Sequence, residues 1–240
     1  MVAKSYTTLM QTYNCLILCG GQGTRIREYN SNIPKSLLEE GGKRFIDHLL
    51  LQFKEFNIVL CTGYLSNHFE NLFSNSQTVN ISKEKKPLGT GGAILNAIKY
   101  IDNCDSFLVI NGDSYCDFKI NNFINSYKTE KCDLMILATD NYDNHSDFGM
   151  IEIRDKKIIK FHEKSSHLVK GSLKNCGIYM IKKELLNIFN HNCSLEKDII
   201  PTLVKHYHCS IHKISEKVYD IGTPKRIAIA NEYFNSQKRT

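Results

Sequence analysis

Cys15-Leu16-Ile17-Leu18-Cys19-Gly20-Gly21-Gln22-Gly23-Thr24-Arg25, with Pro34-Lys35 beginning nine residues after the arginine, decides how this chain is read. The apolar run over 15–19 stops at glycines, the pattern of a buried strand. Three glycines in four positions, Gly20, Gly21 and Gly23, then open a loop whose backbone is free to take positive φ and to approach a ligand closely. Such a loop turns several N–H groups toward one point, which suits phosphate oxygens. Arg25 adds a planar fork of donors, and Lys35 adds a mobile point charge from the far end of the loop. Loop, arginine and lysine together point to a nucleoside triphosphate site.

Two familiar glycine loops do not fit. A Walker loop needs G-x-x-x-x-G-K-[ST], and no Lys-Ser/Thr pair stands at that distance from Gly20 or Gly21. A dinucleotide fingerprint needs G-x-G-x-x-G, and counting from Gly21-Gln22-Gly23 the last glycine is replaced by Ile26. The glycines alone would serve equally as a strand-to-helix turn beside a solvated arginine. Thr24-Arg25 and the distant Pro34-Lys35 make the pattern specific.

That extended pattern resembles the signature of the sugar-1-phosphate nucleotidyltransferases, also called nucleotide-sugar pyrophosphorylases. Cys19 before the double glycine, in a chain this short, looks most like the bacterial D-glycero-α-D-manno-heptose 1-phosphate guanylyltransferases. The resemblance implies that Leu18, Gly20, Gly21, Gly23, Thr24 and Gly112 line the nucleotide, that Arg25 holds the triphosphate and that Lys35 lies at the α-phosphate. It further implies transfer of GMP from GTP to the heptose phosphate, yielding a nucleotide-sugar for surface-polysaccharide biosynthesis. Another triphosphate with a glucose- or mannose-type 1-phosphate stands as the alternative.

Composition sets the frame. A chain of 240 residues can bury one sizeable core, and no Pro/Gly/Ser-rich linker or internal repeat divides it. Its net charge of +6 is moderate and its basic residues are scattered, so nothing reads as a nucleic-acid stripe. Nine cysteines, an odd number without any C-x-x-C, read as free thiols of a reducing cytoplasm. No apolar run is long enough to cross a membrane, and the His206 to His212 stretch reads as strand alternation rather than a zinc site. Residues 1–13 read as an N-terminal extension and 14–240 as a single catalytic domain. The sequence leaves homo-oligomer formation open.

Apolar spacing predicts a helix over 45–56, a strand at Asn57-Ile-Val-Leu-Cys61 and a helix capped by Ser66. Ile94, Ala97, Ile98 and Ile101 then mark a further helix at i, i+3, i+4, i+7 spacing. This alternation predicts an α/β fold: a Rossmann-like, mostly parallel sheet covered by helices on both faces, with ligands at the carboxyl ends of its strands. A small antiparallel insertion for the sugar is predicted where 148–153 and 157–162 pair about Arg154-Asp155.

Glu84 precedes Leu88-Gly89-Thr90-Gly91-Gly92, a segment that resembles the family's base-binding loop and implicates Gly89, Gly91 and Gly92. An ionised carboxylate only accepts hydrogen bonds. Guanine presents two donors on one edge, so Glu84 is a candidate for selecting it; a solvated glutamate beside two lysines is the plainer reading. Asp113, after the strand 106–111 and Gly112, stands where a phosphate-bound metal would sit, and Asp220 in Val218-Tyr-Asp-Ile-Gly-Thr-Pro224 is its partner candidate. Both resemble the family's Mg2+-binding aspartates, and magnesium takes one or two carboxylates with phosphate oxygens and water. Glu163-Lys164, Asn175 and Gly149 resemble its sugar-phosphate contacts, with Lys164 facing the incoming phosphate. Ser194-Leu-Glu-Lys-Asp198 reads as a capped helix start, with Glu196 and Asp198 in structural roles. A regulatory nucleotide-sugar sensor and a glycosyltransferase are the competing classes. The first is disfavoured by the full set of charged residues, the second by Asn111-Gly112-Asp113 where a D-x-D pair would be needed.

Overall fold

The computed structural model describes residues 13–26, 32–101, 104–142, 148–163 and 170–238. The N-terminal extension expected over 1–13 falls, residue 13 apart, outside the described residues, as does Lys164.

The described residues form thirteen strands and six α-helices. The strands are β1 (Asn14–Leu18), β2 (Glu39–Glu40), β3 (Lys43–Arg44), β4 (Asn57–Thr62), β5 (Val79–Lys83), β6 (Ser106–Asn111) and β7 (Ser114–Cys116). After them come β8 (Leu134–Thr139), β9 (Met150–Arg154), β10 (Lys157–His162), β11 (Leu173–Lys182), β12 (Cys209–Ile214) and β13 (Val218–Asp220). The helices are α1 (Phe45–Gln52), α2 (Ser66–Phe73), α3 (Gly89–Ala97), α4 (Ile120–Glu130), α5 (Ile200–His206) and α6 (Pro224–Gln237).

Nine strands form one sheet in the order β5-β4-β1-β6-β11-β8-β12-β10-β9. β5, β4, β1 and β6 run parallel, as do β8 and β12, while β11 runs against both of its neighbours, β6 and β8. Alternation along β1 shows why the sheet is covered twice. Cys15 and Ile17 enter the layer that holds Phe45, Phe69, Phe123, Ile227 and Phe234 from α1, α2, α4 and α6. Leu16 enters the opposite layer with Ile94 and Ala97 of α3 and Ile200 and Leu203 of α5. A strand buried on both faces must be apolar throughout, and the run 15–18 meets that demand.

The expected hairpin is present: β9 and β10 pair with Lys157 opposite Arg154. Asp155 and Lys156 take φ of 47° and 66°, as a two-residue turn matching strand twist requires. β9 also pairs with the first residues of β11, so the hairpin lies across the sheet's far end. β11 breaks register against β8 between Asn175 and Tyr179. Gly177 sits in that break at φ 73°, where a side chain would collide with Asn111 2.9 Å away. The bulge lets one strand join the hairpin with its first half and the parallel core with its second.

Local signals were mostly sound. Thr223 and Ser194 cap their helical turns, accepting from the N–H groups of Arg226 (3.4 Å) and Lys197 (3.1 Å). Ser66 does not cap α2: it is the first helical residue, its hydroxyl donates to Glu70 at 3.1 Å, and Leu65 precedes it at φ 56°. All nine cysteines are free thiols. Among the described residues no helix is long and apolar enough to cross a membrane.

Two tests follow from the packing. Glu40 in β2 is 2% exposed, its Oε2 has no partner, and burial pushes its carboxyl from the ordinary 4.5 to about 7. The folded chain therefore holds this proton more tightly than the unfolded chain, so stability falls as pH rises from about 4.5 to about 7 and stays reduced above. Glu40→Gln is expected to raise the melting temperature at about pH 8 by roughly 2–4 °C or more and to change it little near pH 4.5; an equal shift at both pH values would contradict this. Gly89, at φ 72°, would place a side-chain carbon 2.4 Å from the Cys193 carbonyl oxygen, whereas one at Gly21 would meet nothing within 4 Å. Urea denaturation should find Gly89→Ala destabilised by roughly 1–3 kcal/mol and Gly21→Ala within about 0.5 kcal/mol of the parent.

Candidate active site

The carboxyl ends of β1, β4, β5 and β6 open into a cleft of about 520 Å³. Such an end is where a parallel sheet leaves its loops free to meet a ligand. Leu18, Gly20 and Gly21 enter it from β1, Glu84 from β5, and Asn111 and Asp113 from β6. Arg25 and Lys35 line both this cleft and an adjoining cavity of about 190 Å³, which Gly23, Thr24 and Gly112 also border. Of the three loop glycines only Gly23 takes a positive φ, 57°.

Lys35 begins a short 3₁₀ turn directly after Pro34, whose extended backbone (φ −53°, ψ 138°) turns the chain back toward β6. Its ammonium stands 2.5 Å from Asp113 Oδ2. Withdrawal from water raises the Asp113 carboxyl, but the charge of Lys35, helped by the Ser114 hydroxyl and Arg25, outweighs this and holds it below the usual carboxylate range. β7 leaves Asp113 and pairs antiparallel with β13, setting Asp220 opposite Ser114. The Ile221 N–H donates to the Asp113 carbonyl at 3.1 Å, which closes the ribbon. Two carboxylates distant in sequence thus arrive at one ribbon end. Asp220 accepts from Arg226 Nη1 at 3.3 Å and from the Gly222 N–H at 3.0 Å.

Glu84 follows β5, and its N–H donates to the Thr62 carbonyl at 2.8 Å. Its Oε2 accepts from the Leu88 N–H at 3.1 Å, and burial raises its pKa despite that bond. Gly89 borders the cleft. Gly91 and Gly92 face the chain around Cys193 instead, whose carbonyl takes their N–H groups at 2.9 and 3.4 Å. The glycines of this segment therefore dock α3 onto residues 191–193 as much as they clear room for a ligand.

Gly149, Glu163 and Asn175 line the other wall of the same cleft. The Asn175 N–H donates to the Gly149 carbonyl at 2.9 Å, and its side-chain amide donates to the Tyr179 hydroxyl at 2.7 Å. Every site residue predicted from sequence and described here therefore borders the cleft or its adjoining cavity, except Gly91 and Gly92.

Several cleft residues carry no motif. Glu196 is 9% exposed and accepts from Thr90 Oγ1 (3.0 Å), Asn111 Nδ2 (3.4 Å) and the Tyr179 hydroxyl (3.3 Å), tying α3, β6 and β11 together. Burial, with Glu163 nearby, raises its pKa. The sequence reading of Glu196 as structural agrees with those bonds but misses that it lines the cleft. Lys174, Phe148 and Arg226 line it too. A lysine inside a strand reads as solvent-facing, and an arginine one turn into a helix reads as surface charge. Their only signal was proximity in sequence to Asn175, Gly149 and Asp220.

Comparison with known proteins places the chain in a family. Bifunctional protein GlmU of Methanococcus maripaludis is 29% identical over 92% of this chain. Mannose-1-phosphate guanylyltransferase catalytic subunit beta of Xenopus tropicalis is 28% identical over 88% of it. The chain spans 54% and 61% of the length of these two relatives. HddC from Yersinia pseudotuberculosis, solved in complex with GMP-PN, is 31% identical, covers 92% of this chain and 99% of its own, and superposes with a TM-score of 0.79. A putative glucose-1-phosphate thymidylyltransferase from Bacillus anthracis, 22% identical with a TM-score of 0.82 over 93% of this chain and 95% of its own, shares the fold. The Nucleotidyl transferase profile matches residues 14–237, and the chain belongs to that family.

Proposed function

We propose that this chain transfers a nucleoside monophosphate, GMP from GTP, to a sugar 1-phosphate and releases pyrophosphate. The observation that carries this reading is the convergence of Arg25, Lys35, Glu84, Asp113 and Asp220 on one cleft at the strand ends. A phosphate oxygen of the sugar attacks the α-phosphorus, the bond to the bridging β-oxygen breaks, and pyrophosphate leaves with that oxygen. The nucleophile is already an anion, so the chain needs no general base. The obstacle is the repulsion of two polyanions, which positioning and charge neutralisation must overcome.

In this reading the N–H groups of loop 20–24 cradle the triphosphate and Arg25 holds the departing pyrophosphate. Lys35 sits at the α-phosphate and Lys164 at the incoming phosphate, with Gly149, Glu163 and Asn175 around the sugar ring. Asp113 and Asp220 fit a magnesium pair by their chemistry: they are two carboxylates at the end of one ribbon, each already beside a cation, Lys35 or Arg226. Among the described residues there is no larger cluster of ligating side chains, and magnesium on phosphate needs none. When bound, the ion supplies Lewis-acid neutralisation of the phosphate oxygens.

Glu84 supports guanine. With Oε2 on the Leu88 N–H, the carboxylate is fixed at the β5 end beside Gly20 and Gly63, placed to accept from N1–H and N2–H of a guanine edge. The guanylyltransferase relative and the GMP-PN bound to HddC support the same base. The Cys19-Gly20-Gly21 pattern supports a heptose 1-phosphate acceptor, with mannose 1-phosphate second.

A matrix of the four nucleoside triphosphates against hexose and heptose 1-phosphates, read as pyrophosphate release, tests the proposal; GTP should turn over fastest, and no release in any combination would refute it. Glu84 recognises donors only while ionised, so the preference for GTP should fade as pH drops through its raised pKa, and Glu84→Gln should flatten it at every pH. Base preference unchanged in that variant would remove Glu84 from the role. Lys35→Ala is expected to lower kcat by roughly 10²–10³; a loss under about threefold would exclude Lys35 from the chemistry.

A further inference from the structure

The sugar side of the cleft holds two cations that no sequence motif announces. Lys174, 5% exposed in β11, brings its Nζ to 3.4 Å from the centre of the Phe148 ring. Arg226, from the first turn of α6, brings its guanidinium carbon to 4.4 Å from the same centre. All three side chains line the cleft beside Gly149 and Asn175. A cation is drawn to the face of an aromatic ring, but two cations sharing one ring repel each other. Their gathering is favoured where negative charge collects, and Asp220 already supplies one such charge to Arg226 at 3.3 Å.

Gly222 marks where the two walls of the cleft meet. A side-chain carbon at that position would stand 2.8 Å from Asp220 Oδ1, 3.5 Å from Arg226 Nη1 and 3.8 Å from Lys35 Nζ. The lysine of the nucleotide side and the arginine of the sugar side therefore approach one spot, which the absence of a side chain keeps open. In-line phosphoryl chemistry needs a donor and an acceptor phosphate to meet at such a spot, with positive charge on each.

We infer that Arg226 and Lys174, steadied by the Phe148 ring, bind the phosphate of the incoming sugar 1-phosphate and set the preference for phosphorylated over neutral sugars. This rests on the transfer reading above and deepens it. The planar fork of Arg226 matches two phosphate oxygens at once, and Lys174 adds a point charge. α6 and β11 carry them separately. Phe148 orients both without touching the reacting atoms.

Titration calorimetry with α-D-mannose 1-phosphate, with the heptose 1-phosphate and with GTP decides the matter. It is run on the parent and on Arg226→Ala, Arg226→Lys, Lys174→Met and Phe148→Leu, each first shown to melt cooperatively. Sugar-phosphate affinity should fall at least about tenfold in Arg226→Ala and Lys174→Met and less in Arg226→Lys, while GTP affinity stays within about twofold. Steady-state kinetics should show the same split, with KM rising for the sugar phosphate alone. Arg226 stands in the first turn of α6, outside the main sheet that buries Lys174, so Arg226→Ala remains informative if Lys174→Met fails to fold. Sugar-phosphate affinity within about twofold of the parent in folded Arg226→Ala overturns the inference, as does a parent that binds neither sugar phosphate. A parent that binds them but releases no pyrophosphate with any triphosphate sinks the transfer reading instead, and the same titrations still judge Arg226 and Lys174.

Discussion

The contact on which the rest turns is the ion pair of Lys35 with Asp113, 2.5 Å across. It joins the segment that follows the glycine loop to the end of β6, and through the β7–β13 ribbon it reaches Asp220. Withdrawing the Asp113 carboxylate from water offsets part of the attraction, so the pair adds little to folding free energy. Its value is positional. Under the proposed transfer reading, a site for two polyanions must store cations without letting them repel one another, and pairing each with a carboxylate does this until substrate arrives. Arg226 with Asp220 repeats the device on the opposite wall.

A scaffold of this kind gives a role to β11, which like β10 runs against the parallel set. Because β11 runs against β6 and β8, its first residues rather than its last lie at the cleft end of the sheet. By running against β6 and β8 and bulging at Gly177, it delivers Lys174 and Asn175 to the sugar side and then buries Tyr179 in the core. Glu196 then receives the Tyr179 hydroxyl together with Thr90 and Asn111. A buried acid with three donors is well satisfied, and it holds the nucleotide and sugar walls in one frame.

What could be read from the sequence follows from how local each cause is. The run 15–18 and the glycines after it announce a strand and its loop because both sides of a buried strand must be apolar. The hairpin was legible from alternation, though its turn falls on Asp155 and Lys156 rather than Arg154 and Asp155, and the cap at Ser194 from side-chain chemistry. Ser66 misled because a serine before an apolar stretch looks the same whether it caps the helix or starts it, and the left-handed Leu65 decided the matter. Asp113 and Asp220 were picked out by their places after short apolar segments and by resemblance, but their meeting was not legible, since only strand pairing brings them together. Lys174 and Arg226 were not legible: each looks like solvent-facing charge until the bulge in β11 and the placement of α6 turn them inward.

The hairpin across the far end of the sheet has a consequence for association. Because β9 pairs with β10 on one side and with β11 on the other, that end curls back on itself and offers little bare backbone to a stranger. β5, at the opposite end, pairs among the described residues only with β4. Its outer rim is therefore where another polypeptide could add a strand, and it is guarded modestly, by the charge of Lys83 tethered to Glu70 at 2.7 Å. Among the described residues the main sheet is in this sense one-sided: folded back on itself at its β9–β10 end and open along the short β5 rim at the other.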